Sequence, residues 1–400
     1  MSLRAKVSGA GARRLSLYLT TFLTQLGTGV AIPILPELQD QFGVSIAAVS
    51  LVTALWGLAR LAVDLPLAGF TARVSTGKML LAGAGLLGAG ALVSALASSF
   101  EVLLVGRIVS GAGAAVLAIT NTLALLALST PANKGRVLGI YQVALQGGAS
   151  LSPVVAGVAS LLFGWRAAFL VAGLGALAGL AVLALAGPSR ERDAGPPEPP
   201  EEAPRQVRAS PIWLDVLLAN VATFVLFFMT GGIFSNVMPL FGDRLGLDAA
   251  GIGLVLSIAT GLRVLVSVVG SVISDRTGRH PVVLAGFALT LVPLLLFPFV
   301  DSVVAFAALA WLMSIGRVGN TMPIAMLSDR VPEEHHGRWI SRNRFIADLA
   351  LFIGPVVLGV AVDEAGFGAA FYLGALLVVG VLVLMLVEWR AHRRAGQAPA

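Results

Sequence analysis

The chain has 400 residues, of which 57% are hydrophobic and 12% charged, with a formal net charge of +6 and no cysteine. That balance excludes an ordinary water-soluble domain, and the missing thiols exclude disulfides and thiolate metal centres. The basic excess is scattered over short segments between apolar runs, which excludes the basic face of a nucleic-acid-binding surface.

What remains is an all-α, polytopic membrane protein. A bilayer core takes roughly 20 apolar residues per helix, and twelve runs meet that need, near 15–36, 46–70, 79–98, 102–127, 137–163, 167–186, 212–240, 250–272, 282–300, 303–326, 340–362 and 369–387. A basic start followed by an apolar run resembles a signal peptide. No small-residue cleavage site follows, however, and the run continues into "IPILPEL", so it is assigned as the first span. Lys and Arg in short loops stay cytoplasmic. With both termini inside, 21 of the 27 basic residues fall on the cytoplasmic side, only Arg166 and Arg244 on the other, and Arg60, Arg107, Arg263 and Arg317 within spans. Lipid is therefore an expected partner. The sparse lysine and abundant Arg, Ala and Gly suggest a high-GC bacterium, whose cytoplasmic (inner) membrane would be the location. A monomer is expected.

Residues 187–211, "GPSRERDAGPPEPPEEAPRQVRASP", are Pro-rich and charged and are expected to form a disordered cytoplasmic linker. It separates residues 1–186, an expected six-helix bundle, from 212–400, a second bundle with a short cytoplasmic tail. A shift of about 202 residues lays "SPVVAGV" (152–158) on "GPVVLGV" (354–360), Gly164 on Gly366, and Gly135-Arg136 on Gly337-Arg338. Two like halves related by an axis along the membrane normal would share a site near the midplane. Runs 3, 6, 9 and 12 carry no charge, whereas the other eight hold every intramembrane charge and amide, as expected for a polar cavity ringed by eight helices.

Within those eight runs, Arg60 and Asp64 stand i, i+4 on one helical face and can pair. The bland reading is a fixed ion pair; the sharper one makes Asp64 a proton carrier that Arg60 holds when ionised. Arg344 and Asp348 repeat the spacing, with Asp348 about two and a half turns inside the span. Asp215 reads as a helix N-terminal charge. Gln25, Arg60, Gln146, Asn236, Arg263, Arg317 and Asn320 are candidate substrate-binding groups. The arginines outnumber the acids there, which favours anionic or neutral substrates. Gly148, Pro153 and Gly157 allow close helix approach and bending in run 5. Trp56, Tyr141, Phe224, Phe227, Phe228, Phe234 and Trp311 are candidates for an aromatic lining or for plain packing. The four histidines fall in polar segments, so no metal cluster or cofactor is expected. Neither H-E-x-x-H nor G-x-S-x-G occurs, which argues against an enzyme, and the broken symmetry argues against a passive pore.

Several motifs together resemble the major facilitator superfamily of secondary transporters, across essentially the whole chain. "SVISDRTGRH" (271–280) is similar to its G-x-x-x-D-R-x-G-R-R/K loop, with Ser271 in the first Gly position. "LLVGRIVSGAGAA" (103–115) resembles its R-x-x-q-G-x-g-a-a motif, and "GASLSPVVAG" (148–157) its antiporter motif. "IPILPEL" is similar to the P-x-x-P ending of twelve-helix drug:proton antiporters. The resemblance implies two pseudo-symmetric six-helix bundles, alternating access, a proton-coupling role for Arg107, and a gating role for Asp275, Arg276, Gly278 and Arg279, with Asp275 latching the start of run 11. The matching loop of the first half, "GFTARVSTGK" (69–78), keeps Gly77 and Lys78 but has Val74 in the acid's place. The expectation is proton-coupled export of small amphipathic molecules; the alternative is a carrier of organic anions or sugars bound by the arginines.

Overall fold

The computed structural model describes residues 3–70, 74–130, 132–185, 212–319 and 336–394. The linker 187–211, Asn320 and the side chains of Asp64 and Asp215 lie outside the described residues. Among the described residues the chain is helical, without a strand. The helices are α1 (Leu3–Gln25), α2 (Leu35–Phe42), α3 (Ile46–Phe70), α4 (Thr76–Ala95), α5 (Phe100–Ala127), α6 (Lys134–Phe163), α7 (Trp165–Leu185) and α8 (Ile212–Phe228). A π-helical stretch, Met229–Val237, joins α8 to α9 (Met238–Arg244), and α10 (Ala249–Thr277), α11 (Arg279–Leu296) and α12 (Val303–Gly316) follow. His336–Arg394 is traced as one helix, but Gly366 has non-helical φ 79° and ψ 173°, which divides it into α13 (336–365) and α14 (367–394). With α8, the π-stretch and α9 counted as one crossing and α2 set aside, twelve helices among the described residues correspond to the twelve apolar runs. Their outer faces are apolar: Phe163, Leu185 and Val304 are 79%, 88% and 80% exposed, a surface that only lipid covers without penalty.

Packing divides the chain into two compact units. One comprises Met1–Val44, Leu51–Pro199 and Asp248–Ser257; the other comprises Ser45–Ser50, Pro200–Leu247 and Ile258–Ala400. Within the first, α4 and α5 approach until backbones touch. A Cβ on Gly90 would stand 2.6 Å from the Gly106 carbonyl oxygen, and one on Gly113 would stand 2.7 Å from that of Gly83. Such small-residue seams drive helix association where no hydrophobic effect operates. In the second unit, a Cβ on Gly286 would lie 2.6 Å from the Gly316 oxygen, joining α11 to α12 in the same way.

The duplication extends to backbone conformation. Gly164 (φ 82°) and Gly366 (φ 79°) end α6 and α13 in the left-handed region that favours glycine. Gly43 (φ 61°) and Gly246 (φ 88°) precede matching N-caps. Ser45 Oγ accepts from the Ala48 amide at 3.2 Å, and Asp248 Oδ1 accepts from the Gly251 amide at 2.7 Å. Ser99 and Ser302 cap α5 and α12 alike.

Three details depart from the sequence reading. The first run stops being helical at Gln25; residues 26–34 are turns, and "IPILPEL" runs into the separate α2. The Ser152 hydroxyl holds this turn, donating to the Leu26 carbonyl at 2.7 Å and accepting from the Gly29 amide at 3.0 Å. Run 12 continues past its apolar end, so that α14 includes Glu388, and that residue is buried at 1% exposure. His280, placed by sequence in a polar segment, is buried at the start of α11 with its Nδ1 3.4 Å from the Glu388 carboxylate. A carboxylate taken out of water is retained only with such a partner.

Two outcomes are expected by thermal unfolding of the purified protein. Gly113→Val should cost about 2 kcal/mol by overpacking, whereas Gly85→Val, whose Cβ would meet nothing within 4 Å, should be nearly silent. His280→Ala should lower the melting temperature and Glu388→Ala should do so less, because loss of the imidazole takes this partner from a buried carboxylate, whereas a histidine without its acid can rest neutral.

Candidate functional site

Each unit carries its own polar interior. In the first, Arg107 of α5 is 4% exposed and donates through Nε to the Val52 carbonyl of α3 at 3.0 Å. Its guanidinium also stands 5.9 Å from the Trp56 ring and 6.0 Å from that of Phe169. Arg60, one turn beyond Trp56, lies over the same indole at 5.1 Å. These rings offer the cations negative π-faces. Pairing of Arg60 with Asp64 falls outside the described side chains.

The first unit also holds a small cavity of about 20 Å³. Thr21, Thr24, Gln25 and Thr28 line one side, spaced i, i+3, i+4, i+7, which is one face of a helical path along α1 and its terminal turn. Ala114, Leu117, Ala118 and Asn121 of α5 repeat the spacing, and Leu87, Tyr141 and Leu145 complete the wall. Of the sequence candidates, Gln25 and Tyr141 lie here. The threonines went unremarked because their hydroxyls sit among leucines and phenylalanines in a run read as uniformly apolar. Their i, i+3, i+4, i+7 spacing was the available signal.

Gln146 of α6 is half-buried. Gly148, Pro153 and Gly157 sit at close helix crossings of the first unit. A Cβ on Gly148 would strike the backbone of Phe22, and one on Gly157 the start of α10 at Ala249 and Ala250. Beyond Pro153, the Val154 amide donates to Ser257 Oγ at 2.9 Å, a side-chain acceptor offered by the neighbouring helix.

In the second unit, Arg317 is 3% exposed, donates from Nη2 to Thr230 Oγ1 at 2.7 Å and stands 4.7 Å from the Phe234 ring. Its Nε and Nη1 have no hydrogen-bond partner among the described residues. Thr230 and Phe234 belong to the π-helical stretch, where Gly231 and Gly232 admit the backbone of α13: a Cβ on Gly231 would stand 3.0 Å from the Leu351 oxygen. Asn236, fully buried in the same stretch, donates to Ser50 Oγ and to the Pro355 carbonyl at 3.4 Å. It is thereby engaged as a packing amide. Arg263 is half-buried on α10, and Asp348 on α13 is 5% exposed. Asn343, one and a half turns before Asp348, donates to Thr223 of α8 at 2.9 Å.

Of the gating candidates, Asp275 and Arg276 are exposed and Arg279 is half-buried. No partner for Asp275 stands among the described residues. Gly278 is the N-cap of α11 with φ 87° and ψ 162°, a conformation that only glycine adopts cheaply. Gly77 does not repeat it: it lies inside the first turn of α4, which Ser75 precedes as N-cap. The loop of the first half is thus offset from the register that the sequence suggests. Gly278→Ala should therefore cost about 1–2 kcal/mol, whereas Gly77→Ala should leave stability unchanged or raise it by about 0.5 kcal/mol, both measured by thermal unfolding.

A family model described as Major Facilitator Superfamily matches residues 17–276 and 221–400. A protein from Lactococcus lactis subsp. lactis (strain IL1403), described as a multi-drug resistance efflux pump PmrA homolog, is 25% identical over 287 residues, covering 68% of this chain and 69% of that one. The fold also matches a peptide transporter POT in complex with sulfate, at TM-score 0.75, 14% identity and 95% coverage of each chain. A D-xylose-proton symporter is similar at TM-score 0.73 and 16% identity, with 94% of this chain and 96% of that one covered.

Proposed function

As a member of the major facilitator superfamily, this chain is a multi-pass membrane transporter and not an enzyme, and we propose that it is a proton-coupled exporter of small amphipathic molecules, working by alternating access of two six-helix bundles. The bundles are residues 1–186 and 212–400, with the termini and the linker 187–211 on the cytoplasmic side of a bacterial inner membrane.

The observation that carries this reading is Asp348, a carboxyl 5% exposed inside a bilayer-spanning helix. An acid so placed costs several kcal/mol unless it is neutralised, paired or hydrated in a working cycle. Taking up a proton on one side and releasing it on the other is a cycle that uses the cost. Asp64 on α3 is the second candidate acid, and Arg107, deep in α5, holds positive charge in the same unit as Asp64. The description of the Lactococcus relative as an efflux pump supports the outward direction.

The second reading, a carrier of organic anions or sugars, draws on Arg317. Its unpartnered Nε–H and Nη1–H bonds, with Arg263 in the same unit, would suit a carboxylate or phosphate.

Proteoliposomes with an imposed pH gradient distinguish the two. Under the first reading, gradient-driven movement of a cationic dye falls at least tenfold in Asp348→Asn or Asp64→Asn, whereas equilibrium binding of the dye persists. Full gradient-driven transport in both variants would falsify it. Under the second, Arg317→Gln abolishes movement of an anionic solute, and the dye is never carried.

A further inference from the structure

The first turn of α3 is held from outside its own helix. Near the end of α13, the Asp363 carboxylate accepts from the Ile46 amide through Oδ1 at 3.0 Å and from the Ala47 amide through Oδ2 at 2.8 Å. These are the first two amides of α3, and no carbonyl of the same helix can reach them. Ser45 caps the third, that of Ala48. The Asp363 charge also stands at the positive end of the helix dipole.

Other contacts hold the same turn. A Cβ on Gly359, one turn before Asp363, would lie 3.0 Å from the Ala47 Cα, so α13 and α3 meet at backbone distance. Asn236 of the π-helical stretch donates to Ser50 Oγ, and Ser50 in turn donates to the Ile46 carbonyl at 2.6 Å. Val49 is fully buried beside it. Residues 45–50 accordingly pack in the second unit, whereas α3 from Leu51 onward packs in the first. A helix shared in this way must release its first turn, or strain it, when one unit moves against the other.

The repeat shows that the carboxylate is an addition to this packing. Under the shift of about 202 residues α3 falls on α10, and Asp363 falls on Leu161. The start of α10, Asp248–Ser257, likewise packs in the first unit, with close crossings at Gly157 and Gly253. There the acid is local. Asp248 caps its own helix at Gly251, and the Ala249 and Ala250 amides have no side-chain acceptor among the described residues. The close crossing is duplicated; the clamp on the first two amides is not.

We propose that Asp363 is a gating residue, a latch that keeps the first turn of α3 in the second unit and lets go when the transporter opens on the side opposite its termini. The proposal rests on the alternating-access reading. It goes beyond that reading by giving control of one opening step to an exposed carboxylate, separate from Asp64, Asp348 and the buried arginines.

Because the chain has no cysteine, a single introduced thiol can report the release. Val49→Cys places it on the buried side of the turn, and a membrane-impermeant maleimide probes it in the full chain in lipid nanodiscs. Adding Asp363→Ala should raise the labelling rate about tenfold, through loss of two hydrogen bonds to a charged group. Asp363→Asn, which keeps the shape and one acceptor without the charge, should raise it several-fold, and it decides the matter if Asp363→Ala fails to fold. Ser45→Ala removes a cap of the same helix but no bond to α13, and should change the rate by less than twofold. Unchanged labelling in the Asp363 variants, or an equal rise in Ser45→Ala, which would mean fraying of the helix end alone, would overturn the proposal. Labelling that follows the expected pattern, with no gradient-driven transport of dye or anionic solute by the wild type, would leave the latch standing and remove the proton-coupled exporter. Gradient-driven dye transport with labelling unchanged in the Asp363 variants would do the reverse.

Discussion

A guanidinium inside a layer of apolar helices must be satisfied by whatever those helices carry, and here ring faces and isolated oxygens do so. Arg107 bonds one backbone carbonyl and sits near two aromatic rings; Arg317 bonds one hydroxyl and lies over one ring. Cation–π contacts strengthen to about 2 kcal/mol or more on desolvation, enough to hold a charge in place without cancelling it. The consequence is architectural as well as electrostatic. Trp56 serves Arg60 on its own helix and Arg107 on α5, so α3 and α5 are joined through a shared ring. Arg317 docks on Thr230 and Phe234 of the π-helical stretch and fixes the end of α12 against it.

Glycine at the helix contacts sets the remaining geometry. Gly83 and Gly113 in one unit have counterparts in Gly286 and Gly316 in the other, and these seams hold α4 to α5 and α11 to α12 at backbone distance. The duplication therefore conserves what the backbone needs: caps, left-handed glycines and close crossings. Polar chemistry has diverged. Arg107 corresponds to Ala310 and Arg317 to Ala114, so each unit keeps a buried arginine at a place where its counterpart has a methyl group. In the first unit the residues around the small cavity are uncharged, with threonine hydroxyls and the Asn121 amide among them.

Much of this was legible in the sequence. Twelve apolar runs, the shift of about 202 residues and the glycine before α11 are all properties of spacing and of residue type, and spacing survives into structure. What was hidden depends on context. Gly77 and Gly278 look alike in their loops, but α4 begins at Thr76 and so takes Gly77 into its first turn, whereas Gly278 stands outside α11 as its N-cap. Glu388 was missed because hydropathy ends a span at the first charge, whereas α14 continues and buries that charge against His280. The hydroxyl face of α1 was missed because threonine, bonding to its own backbone, costs an apolar helix little and so leaves no mark on hydropathy.

The π-helical stretch has a mechanical meaning of its own. Each residue of an α-helix turns the chain by about 100° and advances it by about 1.5 Å; a wider turn stores a surplus residue without breaking the rod. Met229–Val237 therefore holds slack at the level where Thr230 and Phe234 grip the arginine. Tightening that coil by a single residue would swivel α9 through roughly a quarter of a revolution, so its pitch and the grip on Arg317 are coupled.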